Sequence, residues 1–183
     1  MSYPRVEYHN QFSIDPLEGK DGISILNQGL EQLKDKHCWI SSGTLLGLYR
    51  DKQLIPHDTD IDVNVLDSSE IKLEGFDLIR TIRFDGKPMQ TAFIKDGIIF
   101  DIYYFYSGIK DGLAMNYNDC GVIEKPLEFI TTLGTLEHNG INYPTPSNLD
   151  AFLEWRYGTD WRIPKKSKQE WSIDANHLKP YSA

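Results

Sequence analysis

The chain has 183 residues, with 27 acidic and 19 basic side chains and a formal net charge of −8. This negative charge disfavours broad binding to nucleic-acid phosphates, so we expect no nucleic-acid partner. No stretch approaches the 18 apolar residues of a membrane span, and two cysteines are too few for a disulfide scaffold. We therefore expect a single domain, residues 1–183, in the cytoplasm and without stable membrane insertion.

An amphipathic helix and a buried strand are predicted first. Apolar residues recur at intervals of three and four between Asp21 and Lys36. This spacing predicts a helix that packs on a sheet. The apolar run Cys38-Trp39-Ile40 then predicts a short core strand.

A turn of small residues follows this strand, at Ser41-Ser42-Gly43-Thr44, and leucines at helical spacing come next. Small residues at a strand-to-helix junction let backbone N–H groups approach an anion at the helix N-terminus. Ser42, Gly43 and Thr44 are therefore candidate phosphate ligands, with a plain helix cap as the alternative. Arg50 is a fourth candidate because its guanidinium can donate twice to one phosphate, with a surface ion pair as the alternative.

The next predicted strand carries acids at alternate positions, within Asp58–Val65. The two-residue period of a strand places Asp58, Asp60 and Asp62 on one face and apolar residues on the other. Aspartate is a poor strand former, and carboxylates about 7 Å apart along a strand can converge on one divalent ion. An all-oxygen site suits Mg²⁺ or Mn²⁺ better than Zn²⁺. A solvated acidic edge is the alternative.

Three β-rich runs follow, and Asp-Gly pairs predict the turns between them. The runs are Leu78–Phe84, Met89–Ile94 and Ile98–Tyr106. Before them, Ser68-Ser69-Glu70 predicts the capped start of a short helix.

Asp101 lies in the middle of the most apolar of these runs. A buried carboxylate without a partner loses its hydration, which costs on the order of several kcal/mol of folding free energy. Asp101 therefore needs a basic side chain, a hydrogen-bond donor or a metal ion as its partner. One interpretation is a third metal ligand. The other is a core Asp bonded to a nearby Arg or Tyr.

The last part of the chain predicts hairpins and one helix. Asp111-Gly112 and Asn139-Gly140 are turn signals, and Ser147 predicts the cap of a helix over residues 148–157 that ends at Gly158. We expect a core at about residues 21–130 and a C-terminal element at about residues 131–183.

Two separated stretches carry a family resemblance. Gly43-Thr44-Leu45-Leu46-Gly47-Leu48-Tyr49-Arg50, then Ile55-Pro56-His57-Asp58-Thr59-Asp60-Ile61-Asp62, resembles the LicD/fukutin family of phosphotransferases, within the nucleotidyltransferase superfamily. Phe100-Asp101-Ile102-Tyr103 and Leu153-Glu154-Trp155-Arg156-Tyr157-Gly158 are also similar to that family. The chain departs from the pattern at His57, where the family has Trp, and at Thr59, where it has Asp.

The resemblance implies a fold, a site and a reaction. The fold would be α/β (α+β): a small mixed β-sheet of nucleotidyltransferase type with helices packed on it and a C-terminal helical element. Asp60, Asp62 and Asp101 would be the metal ligands and catalytic residues. The enzyme would move phosphocholine, ribitol phosphate or glycerol phosphate from a CDP-linked alcohol donor to a glycan hydroxyl, and would release CMP.

Two alternative functions stay open at this point. A nucleotidyltransferase that moves NMP from an NTP to a small molecule or protein would use the same acids. A catalytically inactive module that binds a nucleotide or glycan belongs to a different class, although intact acids argue against it.

Overall fold

The computed structural model describes residues 3–165 and 178–181. Within these residues the strands are β1 (Arg5–Tyr8), β2 (Cys38–Ile40), β3 (Asp60–Leu66), β4 (Asp77–Phe84), β5 (Lys87–Lys95), β6 (Ile98–Lys110), β7 (Leu113–Asn118), β8 (Gly121–Pro126), β9 (Gly134–His138), β10 (Ile141–Thr145) and β11 (Leu178–Lys179). The helices are α1 (Gly22–Gln32), α2 (Ser42–Leu46), α3 (Leu127–Ile130) and α4 (Leu149–Tyr157), and a π-helical turn, Gly47–Asp51, continues α2.

The long strand β6 is the centre of a mixed sheet. Its first half pairs in parallel with β3 and antiparallel with β5, and its second half pairs antiparallel with β7. The sheet runs β1-β4-β5-β6-β7-β8-β11, with β2 joined to the free side of β3, while β9 and β10 form a separate hairpin. This is the mixed α/β architecture that the sequence predicted.

The two faces of β3 and β6 have different neighbours. The apolar face packs against α1 to form the main core. Its central members are at most 2% exposed: Ile25, Leu26, Leu33, Ile61, Val63, Val65, Phe100 and Ile102. The other face carries the acids and, beside them, a smaller apolar cluster of Trp39, Phe105, Ala114 and Ile130.

The predicted hairpins are confirmed, together with their turn chemistry. Both central residues of three turns have positive φ, as type I′ turns require. These pairs are Asp85-Gly86 (47° and 76°), Asp96-Gly97 (51° and 72°) and Asn139-Gly140 (52° and 79°). The β-rich runs before and after them form β4, β5 and β6 close to their predicted bounds.

Four local expectations were wrong or incomplete. Residues 68–73 are not helical, and the Ile71 N–H donates to the Tyr104 hydroxyl at 3.0 Å. Asp58 lies before β3 rather than on its face. Strand β1 was not predicted. The N-cap residue of α4 is Asn148, and the Ser147 hydroxyl donates instead to the Phe129 carbonyl at 3.2 Å.

The C-terminal part contains the β9–β10 hairpin and then α4, which ends at Gly158 as predicted. The Lys-rich stretch after Lys165, with Trp171 and His177, lies outside the described residues. The division into a core and a C-terminal element stays a prediction. Among the described helices, none combines the length and the apolar character needed to cross a membrane.

Gly29 provides a test of the core packing. A Cβ at this position would meet the ring of Phe100, which is fully buried. We expect Gly29→Ala to lower the free energy of unfolding by about 1–2 kcal/mol. The close approach to the ring puts the overpacking cost at about 2–3 kcal/mol, and the gain in helix propensity offsets about 1 kcal/mol of it. Urea denaturation measures the change.

Gly22→Ala is the matched control in the same helix. Its Cβ would meet the Leu54 Cδ1 methyl at 2.5 Å, at the end of a flexible side chain that can move. The control should therefore lose less stability than Gly29→Ala. Equal stability of Gly29→Ala and the wild type would contradict the close packing of α1 on β6.

Candidate active site

Three carboxylates converge on one face of the sheet. Asp60 and Asp62 share a face of β3, and the parallel register places Asp62 directly beside Asp101 of β6. One oxygen from each of the three residues lies within 4.8 Å of the others. Asp62 is 7% exposed and Asp101 is 3% exposed, so two of the three groups are buried. The structure thus brings together the three predicted metal ligands.

The small-residue turn holds the acidic strand in place. The Asp62 N–H donates to the Thr44 Oγ1 at 2.9 Å, and the Ser41 N–H donates to the Asp62 carbonyl at 3.0 Å. The Asn64 amide donates to the Ser41 hydroxyl at 2.8 Å. Thr44 and Ser41 are buried, so these bonds are shielded from water. Hydrogen bonds to both the N–H and the carbonyl of Asp62 therefore fix its backbone to the start of α2.

Burial and mutual repulsion oppose ionisation of Asp62. Burial raises its pKa well above the ordinary value of 3.8, and the neighbouring charges of Asp60, Asp101 and Asp58 raise it further. Arg156 acts in the opposite direction. Without a cation, Asp62 therefore stays protonated at pH values where a solvent-exposed Asp has already lost its proton.

Asp101 has a basic neighbour but an incomplete set of partners. The Arg80 Nη2 atom of β4 lies 3.7 Å from its Oδ2 atom, beyond hydrogen-bond distance. The buried Oδ1 atom has no hydrogen-bond partner in the described part of the chain. Burial raises the Asp101 pKa to about 6, although Arg80 and the neighbouring Gln90 side chain lower it. Arg80 is thus the nearby basic residue that the alternative of a paired core Asp requires. It leaves the Oδ1 atom of Asp101 without a hydrogen-bond partner among the described residues.

These features fit a hard divalent cation. The described cluster offers only carboxylate oxygens, which Mg²⁺ and Mn²⁺ prefer over the nitrogen and sulfur ligands typical of Zn²⁺. A cation there would compensate the repulsion around Asp62 and the burial of the Asp101 carboxylate. The residues that would hold it are Asp60, Asp62 and Asp101.

The predicted phosphate turn has an unusual backbone. Ser42 has a φ of 47°, in the left-handed region that non-glycine residues rarely adopt, and it opens α2 after the extended Ser41. A Cβ at Gly43 would clash with the Asp58 carboxylate. Asp58 therefore lies over the N-terminus of α2, where the sequence predicted a phosphate. Binding of phosphate by Ser42, Gly43 and Thr44 stays a prediction.

Arg50 is engaged within the protein. Its Nε and Nη2 atoms donate to the two carboxylate oxygens of Asp51 at 2.8 and 2.7 Å. Its Nη1 atom donates to the Trp161 carbonyl at 3.3 Å. This geometry matches the ion-pair alternative, with a side chain that is only 12% exposed. A role in phosphate binding stays a prediction and would require Arg50 to exchange partners.

The sequence reasoning missed three basic residues near the acids. Lys125 of β8 and Arg156 of α4 are buried, and the negative charge of Asp62 raises the pKa of both side chains. Arg80 is the third. The signal for Arg156 was its helical spacing with Phe152 and Leu153, which placed a charge on the buried side of α4. The signal for Arg80 was weaker: a charge within the β-rich run Leu78–Phe84. Lys125 lies between Glu124 and Pro126, a context that gave no signal of burial.

The comparison with protein families agrees with this geometry. A family model described as LicD/FKTN/FKRP, nucleotidyltransferase domain, matches residues 36–148, more than half of the chain. The chain belongs to this family. The matched range contains the small-residue turn, the three acids and Lys125, whereas Arg156 lies beyond it.

Curated relatives come from mammals and from a bacterium. The chain is 26% identical over 157 residues to the ribitol-5-phosphate transferase FKTN of Macaca fascicularis, covering 78% of this chain and 32% of that protein. The mouse FKTN is 27% identical over 178 residues, covering 88% and 37%. An uncharacterized protein of Rickettsia prowazekii is 34% identical over 67 residues, covering 32% and 24%. The chain thus spans about a third of the length of the FKTN proteins.

Thr44 allows a test of how this LicD-family chain positions its acids. Thr44→Val keeps the side-chain shape but removes the acceptor of the Asp62 N–H. An unsatisfied buried donor costs about 1–3 kcal/mol, so the free energy of unfolding should fall by that amount and Mn²⁺ binding should weaken. Thr44→Ser retains the acceptor and should bind Mn²⁺ like the wild type. Unchanged stability and Mn²⁺ affinity in Thr44→Val would contradict this role.

The raised carboxyl pKa values predict a pH dependence for the metal-free protein. Folded Asp101 keeps its proton up to about pH 6, while the ordinary pKa is 3.8. The folded state therefore binds more protons, and stability falls as the pH rises through this window, by about 3 kcal/mol from Asp101 alone. Asp62 acts in the same direction. Thermal denaturation between pH 4 and 7, with a chelator, measures the loss.

Asp101→Asn is the reference because it mimics the protonated side chain. The wild type should lose stability relative to this variant as the pH rises, and Mg²⁺ should reduce the difference. Asp35→Asn, at an exposed position, should follow the wild type at every pH. A difference between wild type and Asp101→Asn that does not change with pH would contradict the account.

Proposed function

We propose that the chain is a metal-dependent phosphotransferase that moves a phospho-alcohol from a CDP-linked donor to a glycan hydroxyl and releases CMP. The observation that carries the proposal is the convergence of Asp60, Asp62 and Asp101 within 4.8 Å, in a chain of the LicD/FKTN/FKRP family. The unpaired Oδ1 atom of Asp101 supports catalysis over passive binding. A binding module gains nothing from three carboxylates that repel each other.

The name of the FKTN relatives favours one donor. Those proteins are named ribitol-5-phosphate transferases, so CDP-ribitol is the first donor to test, before CDP-glycerol and CDP-choline. This name specifies the transferred group and not the acceptor, so the glycan acceptor rests on the family resemblance alone. We keep the cytoplasm as the expected compartment, where the buried Cys38 and exposed Cys120 would both stay reduced.

In the proposed reaction the acceptor hydroxyl attacks the phosphorus distal to the nucleoside, and the bond from that phosphorus to CMP breaks. Bound Mg²⁺ or Mn²⁺ would supply charge neutralisation for the diphosphate. Asp60 and Asp62 orient the site from β3, held by the Thr44 hydrogen bond. Asp101 accepts the hydroxyl proton at Oδ1, the oxygen that has no partner in the described residues. Arg80, 3.7 Å from Oδ2, favours the charged form that accepts this proton.

The proposal is tested by product analysis with a panel of donors. Purified protein is incubated with CDP-ribitol, CDP-glycerol, CDP-choline, CTP or ATP, with Mg²⁺, Mn²⁺ or a chelator, and with a glycan acceptor. We expect metal-dependent release of CMP from one CDP-alcohol. Release of pyrophosphate from a triphosphate would indicate a nucleotidyltransferase, and the absence of any product would favour the binding module.

Variants of the acids connect the product to this site. Asp62→Asn should reduce CMP release by at least about 100-fold, since loss of one metal ligand or positioned charge typically costs this much. Its thermal stability without metal should equal or exceed that of the wild type because a repelling charge is gone. Asp77→Asn, an exposed residue at the start of β4, should keep wild-type activity. Wild-type CMP release by Asp62→Asn would refute the assignment.

A further inference from the structure

Lys125 is a buried lysine with no polar partner among the described residues. It lies on β8, opposite Ala114 of β7, and is 3% exposed. Its Nζ atom sits 4.9 Å from the ring centre of Phe105 and 5.5 Å from that of Phe152. Within the described part of the chain it forms no hydrogen bond and no ion pair. Ring faces compensate a lost hydration shell only in part, so this position costs stability.

A second buried cation lies one helical turn beyond Phe152 on α4. Arg156 of α4 is 9% exposed, and its guanidinium carbon is 4.8 Å from the ring centre of Tyr157. The positive charge of Arg156 and burial lower the Lys125 pKa to about 7, and Asp62 partly opposes this effect. Two like charges therefore share an apolar environment, and the charge of Asp62 acts on both.

Binding of a metal ion to the three acids would change the charge balance around Lys125 and Arg156. A divalent cation held by Asp60, Asp62 and Asp101 would take up the negative charge that now faces Lys125 and Arg156. Lys125 would then lack a counter-charge within the described part of the chain, unless an anion entered with the metal. A diphosphate supplies that anion, and its oxygens can accept hydrogen bonds from both side chains.

We propose that Lys125 and Arg156 form the anion-binding half of the site and hold the diphosphate group of the substrate on the side away from the carboxylates. Lys125 contributes a point charge, and Arg156 contributes a planar set of donors. The pair differs from the residues that the sequence assigned to phosphate, because Arg50 is engaged by Asp51 and the α2 N-terminus by Asp58.

This inference deepens the proposed function, since the diphosphate is that of the donor. The test measures binding rather than turnover, with inorganic pyrophosphate in the presence of Mg²⁺, followed by calorimetry. Wild type and Lys125→Met are compared, because methionine keeps the contacts with the two rings and removes the charge. Lys110→Met is the matched control: Lys110 lies on the same sheet, is 51% exposed and pairs with Glu124 at 2.7 Å.

We expect Lys125→Met to bind pyrophosphate roughly 10- to 100-fold more weakly than the wild type, as expected for the loss of a charged hydrogen bond. Its melting temperature should equal or exceed the wild-type value, because a desolvated charge is gone. Lys110→Met should bind like the wild type. If Lys125→Met does not fold, Lys125→Gln serves the same comparison.

Equal pyrophosphate affinity in Lys125→Met and wild type would overturn the inference, as would a wild type that binds no pyrophosphate. A clear loss of melting temperature without a loss of affinity would also overturn it, because Lys125 would then be structural. The proposed function is tested independently of this inference. If pyrophosphate binding depends on Lys125 but no CDP-alcohol yields CMP, the anion site is supported and the proposed function is refuted. If CMP is released and Lys125→Met binds pyrophosphate as tightly as the wild type, the proposed function is supported and the anion-binding role of Lys125 is refuted.

Discussion

Repulsion among the carboxylates of Asp60, Asp62 and Asp101 is the constraint on which the site depends. Parallel pairing of β3 and β6 places these two acids directly beside each other, and Asp60 adds a third charge from the same strand. Like charges at paired positions destabilise a sheet, and burial makes each charge more costly. The fold therefore maintains an arrangement that lowers its own stability. Such a cost is typical of residues retained for chemistry.

The surrounding elements hold this arrangement in place. The apolar face of the same two strands packs on α1, so the strands cannot shift without exposing a core whose central members are almost fully buried. On the other face, Thr44 fixes the backbone of Asp62, while Arg80, Lys125 and Arg156 supply positive charge around the acids. The result is a site with a negative centre and a positive rim. This charge distribution suits a metal ion that arrives with a phosphate-bearing substrate.

The parts of this structure that were predictable from the sequence are local. Alternation within β3 and the single acid in the apolar run of β6 identified Asp60, Asp62 and Asp101, and Asp-Gly and Asn-Gly pairs identified the hairpins. Side-chain roles that depend on distant neighbours were missed. The Thr44 bond joins residues that are 18 positions apart, and Lys125 lies over the Phe152 ring only because α4 packs near β8. Local patterns cannot show which distant segment covers a charge.

The most direct test of the central claim is a crystal structure with Mn²⁺ and CDP, using anomalous scattering to locate the metal. We expect a manganese peak among the carboxylates of Asp60, Asp62 and Asp101, with the diphosphate of CDP between this peak and the buried cations of β8 and α4. A structure at saturating Mn²⁺ with no peak among these carboxylates would contradict this expectation. So would a manganese peak at another cluster of acids together with bound CDP.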